Sequence, residues 1–156
     1  MSTNVRSTSP VRDQDESFDI LERALAAAGT DEADAMLTST DQNISRFAGS
    51  QIHQNMSEES AALTLRVVIG ASMGVASTTV FTSEEIARTA ALAREAAKHA
   101  SPLPGFSGLY RDGEASPDVV SMDERTARLS PVEKAQDLRR MFDAGAPRGA
   151  TFAGSY

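Results

Sequence analysis

The chain has no cysteine. That absence excludes disulfides, thiolate zinc sites and a cysteine nucleophile. Histidine is nearly as scarce, with only His53 and His99. Neither has the second histidine four residues on that a helical zinc site uses, and no EF-hand loop is present. No apolar run reaches the ~18 residues of a membrane span. The opening MSTNVRSTSPVRDQDES lacks the apolar central segment of a secretory signal. Basic residues are outnumbered, 15 against 22 acidic, for a net charge of −7. They form no stripe, so nucleic-acid binding through phosphates and attachment to anionic membranes are both disfavoured. The expected compartment is the cytoplasm. The sequon at Asn43, Ile44 and Ser45 carries no meaning without a secretion route.

What remains is an ordinary globular balance. The 156 residues are 40% hydrophobic and 24% charged, enough for one domain with a real core. Residues 1–15 are too polar to offset their ordering entropy and read as a disordered tail, with a domain over 16–156. Phe18, Leu21, Leu25 and Ala28 have helical spacing, with Ser17 as cap and Gly29 as terminator, which predicts a helix over 18–28.

Short alternating segments follow at 33–38, 43–48, 51–57, 61–69 and 73–80. The intervening Asp41 to Asn43, Gly49 and Ser50, Ser57 to Ser60, and Gly70 to Ser72 are rich in turn formers. Breaks this short join antiparallel neighbours. Thr82 and Glu85 then have capping-box spacing before a stripe of Ile86, Ala90, Ala93, Ala97 and Ala100. Glu84, Glu85, Arg88, Arg94, Glu95 and Lys98 are expected to face water. Residues 101–118, rich in proline and glycine, read as a loop. Ser130, Pro131 and Glu133 begin another capped helix with a buried stripe of Val132, Ala135, Leu138 and Phe142, ended by Gly145. Residues 150–156 resume a strand-like alternation. The fold class is therefore α+β: an antiparallel meander of four to five strands packed by two or three helices. The last segment reads either as a natural edge strand or as the place where a longer protein has been cut.

Few residues carry chemistry. His53 alternates with Gln51 and Asn55, a pattern of a polar strand face rather than of a metal centre. Ser77, Thr78 and Thr79 lack the G-x-S-x-G elbow of a hydrolase nucleophile. Glu58 and Glu59 are adjacent and point apart, so they read as a solvated turn. Residues 70–74, GASMG, lack the Lys-Ser/Thr of a phosphate loop. Arg46 and Arg66 either fork a carboxylate, such as a peptide terminus, or lay their stems across the sheet.

The runs RFAGSQIHQN (46–55) and RVVIGASMGVAST (66–78) resemble the first domain of the TldD/PmbA family. The alanine-rich EEIARTAALAREAAKHA and the segments SPLPGFSGLY and SPVEKAQDLRRMFDAGA fall in the same order as in that family, so the resemblance covers roughly 17–156. It implies a cytoplasmic protein about three times this length. The family includes zinc-dependent peptidases and metal-free subunits that pair with them, and it carries the label modulator of DNA gyrase. Its zinc site, a His-Glu…His constellation, lies later in the family's chains and has no match here. The resemblance thus implies no catalytic or metal residue and no cofactor in this segment, with zinc expected only in a missing C-terminal part. It implies the first domain of a metallopeptidase of this family or of its non-catalytic paired subunit, the match being closer to the PmbA type, with a partner subunit in a homo- or heterodimer and a peptide substrate. Arg46, Gln51, His53, Asn55 and Arg66 are the residues expected at a substrate cleft or subunit interface. The alternative is a free-standing module that binds peptides or proteins without cutting them.

Overall fold

A computed structural model describes residues 13–30, 32–111, 113 and 121–156. The tail expected over 1–15 lies outside the described residues as far as residue 12, as does much of the stretch after Arg111. The elements run α1 (Gln14–Ala28), β1 (Ala33–Ala48), β2 (Gln51–Ile69), β3 (Ser72–Thr78), α2 (Ser83–His99), α3 (Glu124–Ala127), α4 (Pro131–Gly145), a 3₁₀ turn (Ala146–Arg148) and β4 (Gly154–Ser155). One four-stranded sheet has the order β3-β2-β1-β4. Its β2–β3 and β1–β4 pairs are antiparallel. The α+β meander with helices is the fold read from the sequence.

Two expected turns are absent. Residues 41–43 lie inside the 16-residue β1, and residues 57–60 lie inside the 19-residue β2. The chain divides into two compact units, Met1–Asp41 with Glu59–Glu114, and Gln42–Glu58 with Ala115–Tyr156. The polar runs mark where β1 and β2 pass from one unit to the other, not where the chain reverses. The true reversals are Gly49-Ser50, with φ of +58° and +57°, and Gly70-Ala71, where Gly70 has φ +63°. Positive φ at both Gly49 and Ser50, and at the first central residue Gly70 of the second turn, is the hairpin geometry that matches strand twist.

In the first unit, Leu63, Leu65 and Val67 of β2 are fully buried together with Ile20 and Ala24 of α1 and Ile86, Ala90 and Ala93 of α2. Each large side chain removed from water contributes roughly 1.5–3 kcal/mol. The alanine stripe of α2 brings its backbone onto β3. Gly74 completes the fit: a Cβ there would overlap the Ala93 carbonyl and the Ala97 amide. The Thr82 hydroxyl accepts the Glu85 N–H and starts α2. Arg94 does not face water. Its guanidinium donates to the Ala27 and Ala28 carbonyls at 2.6 and 2.9 Å, closing the C-terminal end of α1.

Helix α1 begins at Gln14, capped by Asp13 rather than Ser17, and buries a face rotated from the expected one, with Ala28 common to both and Leu21 partly buried. Ile20, Ala24 and Ala28 go inside, whereas Phe18 and Leu25 stay 54% and 42% exposed.

In the second unit, Ser130 and Glu133 form the expected capping box at the start of α4. Leu138 is buried, but Val132 is exposed, and Lys134 takes a place in the packed face instead. The Lys134 ammonium donates to the Asn43 carbonyl at 2.5 Å and to the Asn43 side chain at 3.2 Å. Its stem packs while its charge satisfies a strand oxygen. Gly145 is the last residue of α4 in right-handed helical geometry, and the left-handed position falls at Gly149, after the 3₁₀ turn. Glycine at 145 instead admits the Phe152 ring. Phe47, Phe142 and Phe152 stack with centroid separations of 5.5 and 6.1 Å.

Candidate functional site

The edges of the sheet are its most distinctive chemistry. β4 meets β1 only at Arg46 and Phe47, with a further pair between Ser45 and Tyr156. Among the described residues, the stretch of β1 over 33–41 has a strand neighbour on its β2 side alone. An unpaired strand edge presents a row of N–H and C=O groups to any extended chain. Ser45 and Phe47 turn their main-chain groups toward β4, and the Asn43 carbonyl meets Lys134 on that same side. By strand alternation the main-chain groups of Leu37, Ser39 and Asp41 also point outward.

The first unit also holds a cavity of about 300 Å³ lined by Glu32, Asp34, Arg66, Leu109, Tyr110 and Arg111. Arg66 lies across from Asp34 in a two-point fork: its Nε donates to Asp34 Oδ1 at 3.1 Å, and its terminal nitrogen donates to Asp34 Oδ2. Both side chains are close to half exposed. Glu32 Oε1 accepts the Leu109 N–H at 2.6 Å and so fixes the loop beside the fork. A side chain at Gly108, where φ is +111°, would collide with the Glu32 carboxylate. Of the two readings of Arg66, the structure has the carboxylate fork, but an internal acid fills it. A ligand carboxylate there would have to displace Asp34.

The second unit has a smaller, more apolar cavity of about 220 Å³ between Phe47, Leu138, Met141 and Tyr156, with Asp137 at its rim. The Tyr156 hydroxyl donates to Asp137 at 3.2 Å. Burial first, and then the neighbouring carboxylate, raise the tyrosine above its ordinary range.

The five residues expected at a cleft or interface do not form one cluster. Arg66 belongs to the first unit, and Arg46, Gln51, His53 and Asn55 belong to the second. Arg46, Gln51 and His53 are exposed strand residues, Arg46 standing at the β1–β4 register. Asn55 accepts the hydroxyl of the fully buried Ser45 at 2.6 Å, a packing role. Sequence reading missed Asp34, Glu32 and Lys134. The first had a usable signal, because an acid alternating with Ala33 and Ala35 opposite an arginine strand fits a cross-strand charge pair. The other two depend on contacts 77 and 91 residues apart, which no local pattern records.

Among the described residues, no three histidine, aspartate or glutamate side chains converge where they could hold a metal ion. No described helix is long and apolar enough to cross a membrane.

Residues 33–97 match the family model for PmbA/TldA metallopeptidase domain 1. No curated protein gives a significant match. Several solved structures are similar. TldE from Thermococcus kodakarensis is 13% identical, with a TM-score of 0.63, over 80% of this chain and 27% of that one. A protein from Thermotoga maritima titled a modulator of a DNA gyrase is 16% identical, with a TM-score of 0.60, over 80% and 28%. One from Bacteroides thetaiotaomicron titled a modulator of DNA gyrase is 17% identical, with a TM-score of 0.63, over 78% and 29%. At identities this low the likeness is one of fold. The chain spans less than a third of the length of each.

Proposed function

We propose that this first domain of the PmbA/TldD family, matched over residues 33–97, handles extended peptide for a peptidase assembly of that family without cutting it. The observation that supports this most directly is the outer edge of β1 over 33–41, which has no strand partner among the described residues. An edge of this kind pairs with main chain and is tolerant of side-chain identity. That suits a protein whose clients are unfolded segments.

On this reading the chemistry belongs elsewhere. Zinc and its ligands lie in sequence outside this domain or in a paired subunit, and the domain contributes to the peptide cleft or to the subunit contact. The setting is the cytoplasm. The net charge of −7 argues against direct contact with DNA. The competing reading, a free-standing binding module, shares the same edge and differs in having no peptidase partner.

The test uses the purified 156-residue chain and a labelled unstructured peptide. Binding without hydrolysis is the expected outcome. Hydrolysis that a chelator abolishes would overturn the non-catalytic assignment, and failure of any extended peptide to bind would overturn the peptide-handling role. Co-purification with a peptidase subunit of the same family separates the assembly reading from the free-standing one.

A further inference from the structure

The fold uses only part of Arg66. A guanidinium carries five N–H donors in one rigid plane. Asp34 accepts from Nε and from one terminal nitrogen, which together form the side edge of that plane. The end edge, formed by the two terminal nitrogens, has no acceptor among the described residues. This arginine lines the cavity of about 300 Å³ in the first unit, and Arg111 lines it too. The acids of the same cavity are engaged internally. Both Asp34 oxygens accept from Arg66, and Glu32 Oε1 accepts the Leu109 N–H at 2.6 Å. The loop that supplies Leu109, Tyr110 and Arg111 is anchored at a second point, where the Leu103 N–H donates to the Ala71 carbonyl at 2.8 Å. Glu32 is itself held by its carbonyl, which accepts the Val68 N–H at 2.9 Å. Anchors of this kind lower the ordering cost that a ligand would otherwise meet.

We infer that this cavity takes the free carboxylate at the C-terminus of an extended peptide, with the end edge of Arg66 as its fork and Arg111 as a second cation. The inference rests on the peptide-handling reading above and adds a site and a chemical group to it. A carboxylate meets a guanidinium edge in two-point, charge-assisted geometry. Asp34 keeps the side edge while the ligand takes the end edge, so no internal contact is broken. Capture of a chain terminus by converging donors is a recurring mode of peptide recognition. A terminus suits the cavity better than an acidic side chain does. Leu109 and Tyr110 add apolar and aromatic wall beside the arginines, which suits the last side chain of a peptide. The net charge of −7 repels acidic segments at long range, whereas an otherwise neutral peptide brings a single negative charge. Ala33 and Asp34 belong both to the cavity and to the start of β1, so main chain and terminus are met by adjoining parts of one strand.

The experiment titrates the purified 156-residue chain with a short uncharged peptide of serine, glycine and valine ending in leucine, labelled at its N-terminus. It is used as the free acid, as the C-terminal amide, and as an amide carrying one internal glutamate. The free acid is expected to bind about tenfold or more tightly than either amide. Arg66→Gln is expected to bring acid and amide within about twofold of each other while amide affinity stays as it was, a combination that loss of structure does not produce. Arg66→Lys keeps the charge without the fork and is expected to restore only part of the preference. Arg111→Gln is expected to reduce the preference about threefold.

If acid and amide bind the wild-type chain equally, the carboxylate site is refuted and peptide handling stands. If no form of the peptide binds, the broader reading falls with it. Equal binding of the free acid and the glutamate-bearing amide would assign the cavity to acidic side chains and overturn the terminal assignment. A preference undiminished in Arg66→Gln would put the carboxylate elsewhere and overturn the site.

Discussion

Ser45 and Tyr156 exchange both of their main-chain hydrogen bonds, each 2.9 Å long, although 111 residues separate them in sequence. Ser45 is fully buried. Its amide and carbonyl therefore depend on the terminal strand, and unpaired buried groups cost about 1–3 kcal/mol each. Deleting residues 154–156 is expected to destabilise the second unit by roughly that amount and to speed exchange of the Ser45 amide. Amide exchange followed by NMR checks this. Unchanged protection at Ser45 would mean that β4 adds nothing to the edge it covers.

Gly74 is set by contact, since its φ lies outside the left-handed region and the α2 backbone occupies the space of a Cβ. Gly74→Ala must push α2 off β3, at about 1–3 kcal/mol for overpacking. Urea unfolding should show a lower midpoint with an unchanged slope. A neutral or stabilising result would show that α2 shifts freely, and that its alanine stripe does not fix its height.

The Asp34–Arg66 fork is close to half exposed. Solvent screening therefore limits its worth to about 1 kcal/mol even with two-point geometry. A double-mutant cycle of Asp34→Asn and Arg66→Gln is expected to give a coupling of that size, shrinking at high salt. Asp34→Asn alone is expected to free the Arg66 guanidinium for added carboxylate compounds, visible as shifts of its Nε–H resonance. No coupling and no response to carboxylates would leave the cavity around Arg66 without a recognition role.

Lys134 tests a buried polar contact. Lys134→Met keeps the apolar stem and leaves the Asn43 carbonyl without its charged donor, at about 1–3 kcal/mol. Lys134→Arg retains a donor and is expected to recover part of the loss. Equal stability of wild type and Lys134→Met in thermal unfolding would show that water replaces the ammonium.

The elements most legible in the sequence are those whose signals are local. The Thr82 cap and the Ser130–Glu133 box lie within one helical turn and form as read. The reversals at Gly49 and Gly70 need positive φ, and glycine marks them. Phase is harder to read. Helix α1 offers two stripes that share Ala28, and hydrophobicity favours the one with Phe18, Leu21 and Leu25. Close packing favours Ile20, Ala24 and Ala28, where the two alanines let the helix approach and Ile20 fills the core, and packing prevails. The polar runs at 41–43 and 57–60 read as turns because strand alternation disappears where side chains on both faces are wet. There the hairpin ladder continues the strand, a non-local cause. The candidate site is legible to the same degree: Arg66 is identified, but its acid 32 residues away is not.

Acid and alkali should unfold the chain for identifiable reasons. Glu133 accepts the Ser130 hydroxyl and N–H, which hold it below the usual carboxylate range. Glu85 is lowered by the Arg88 guanidinium, and Asp123 by the Thr126 N–H. A lowered folded-state value means that the unfolded chain takes up protons first. The stabilisation from these groups is present above the unfolded carboxylate range and is lost as pH falls through the lowered values. Tyr156 behaves oppositely. Its raised value stabilises the fold below the ordinary phenol range, an effect lost as pH rises through that raised value. Melting temperatures from about pH 7 down to about pH 3, and up to about pH 11, should therefore fall on both sides. Glu133→Gln keeps the cap without the titration and is expected to flatten the acid limb. Tyr156→Phe is expected to flatten the alkaline limb. An acid limb identical in Glu133→Gln and wild type would remove the capping box from the acid response and leave Glu85 and Asp123 to account for it.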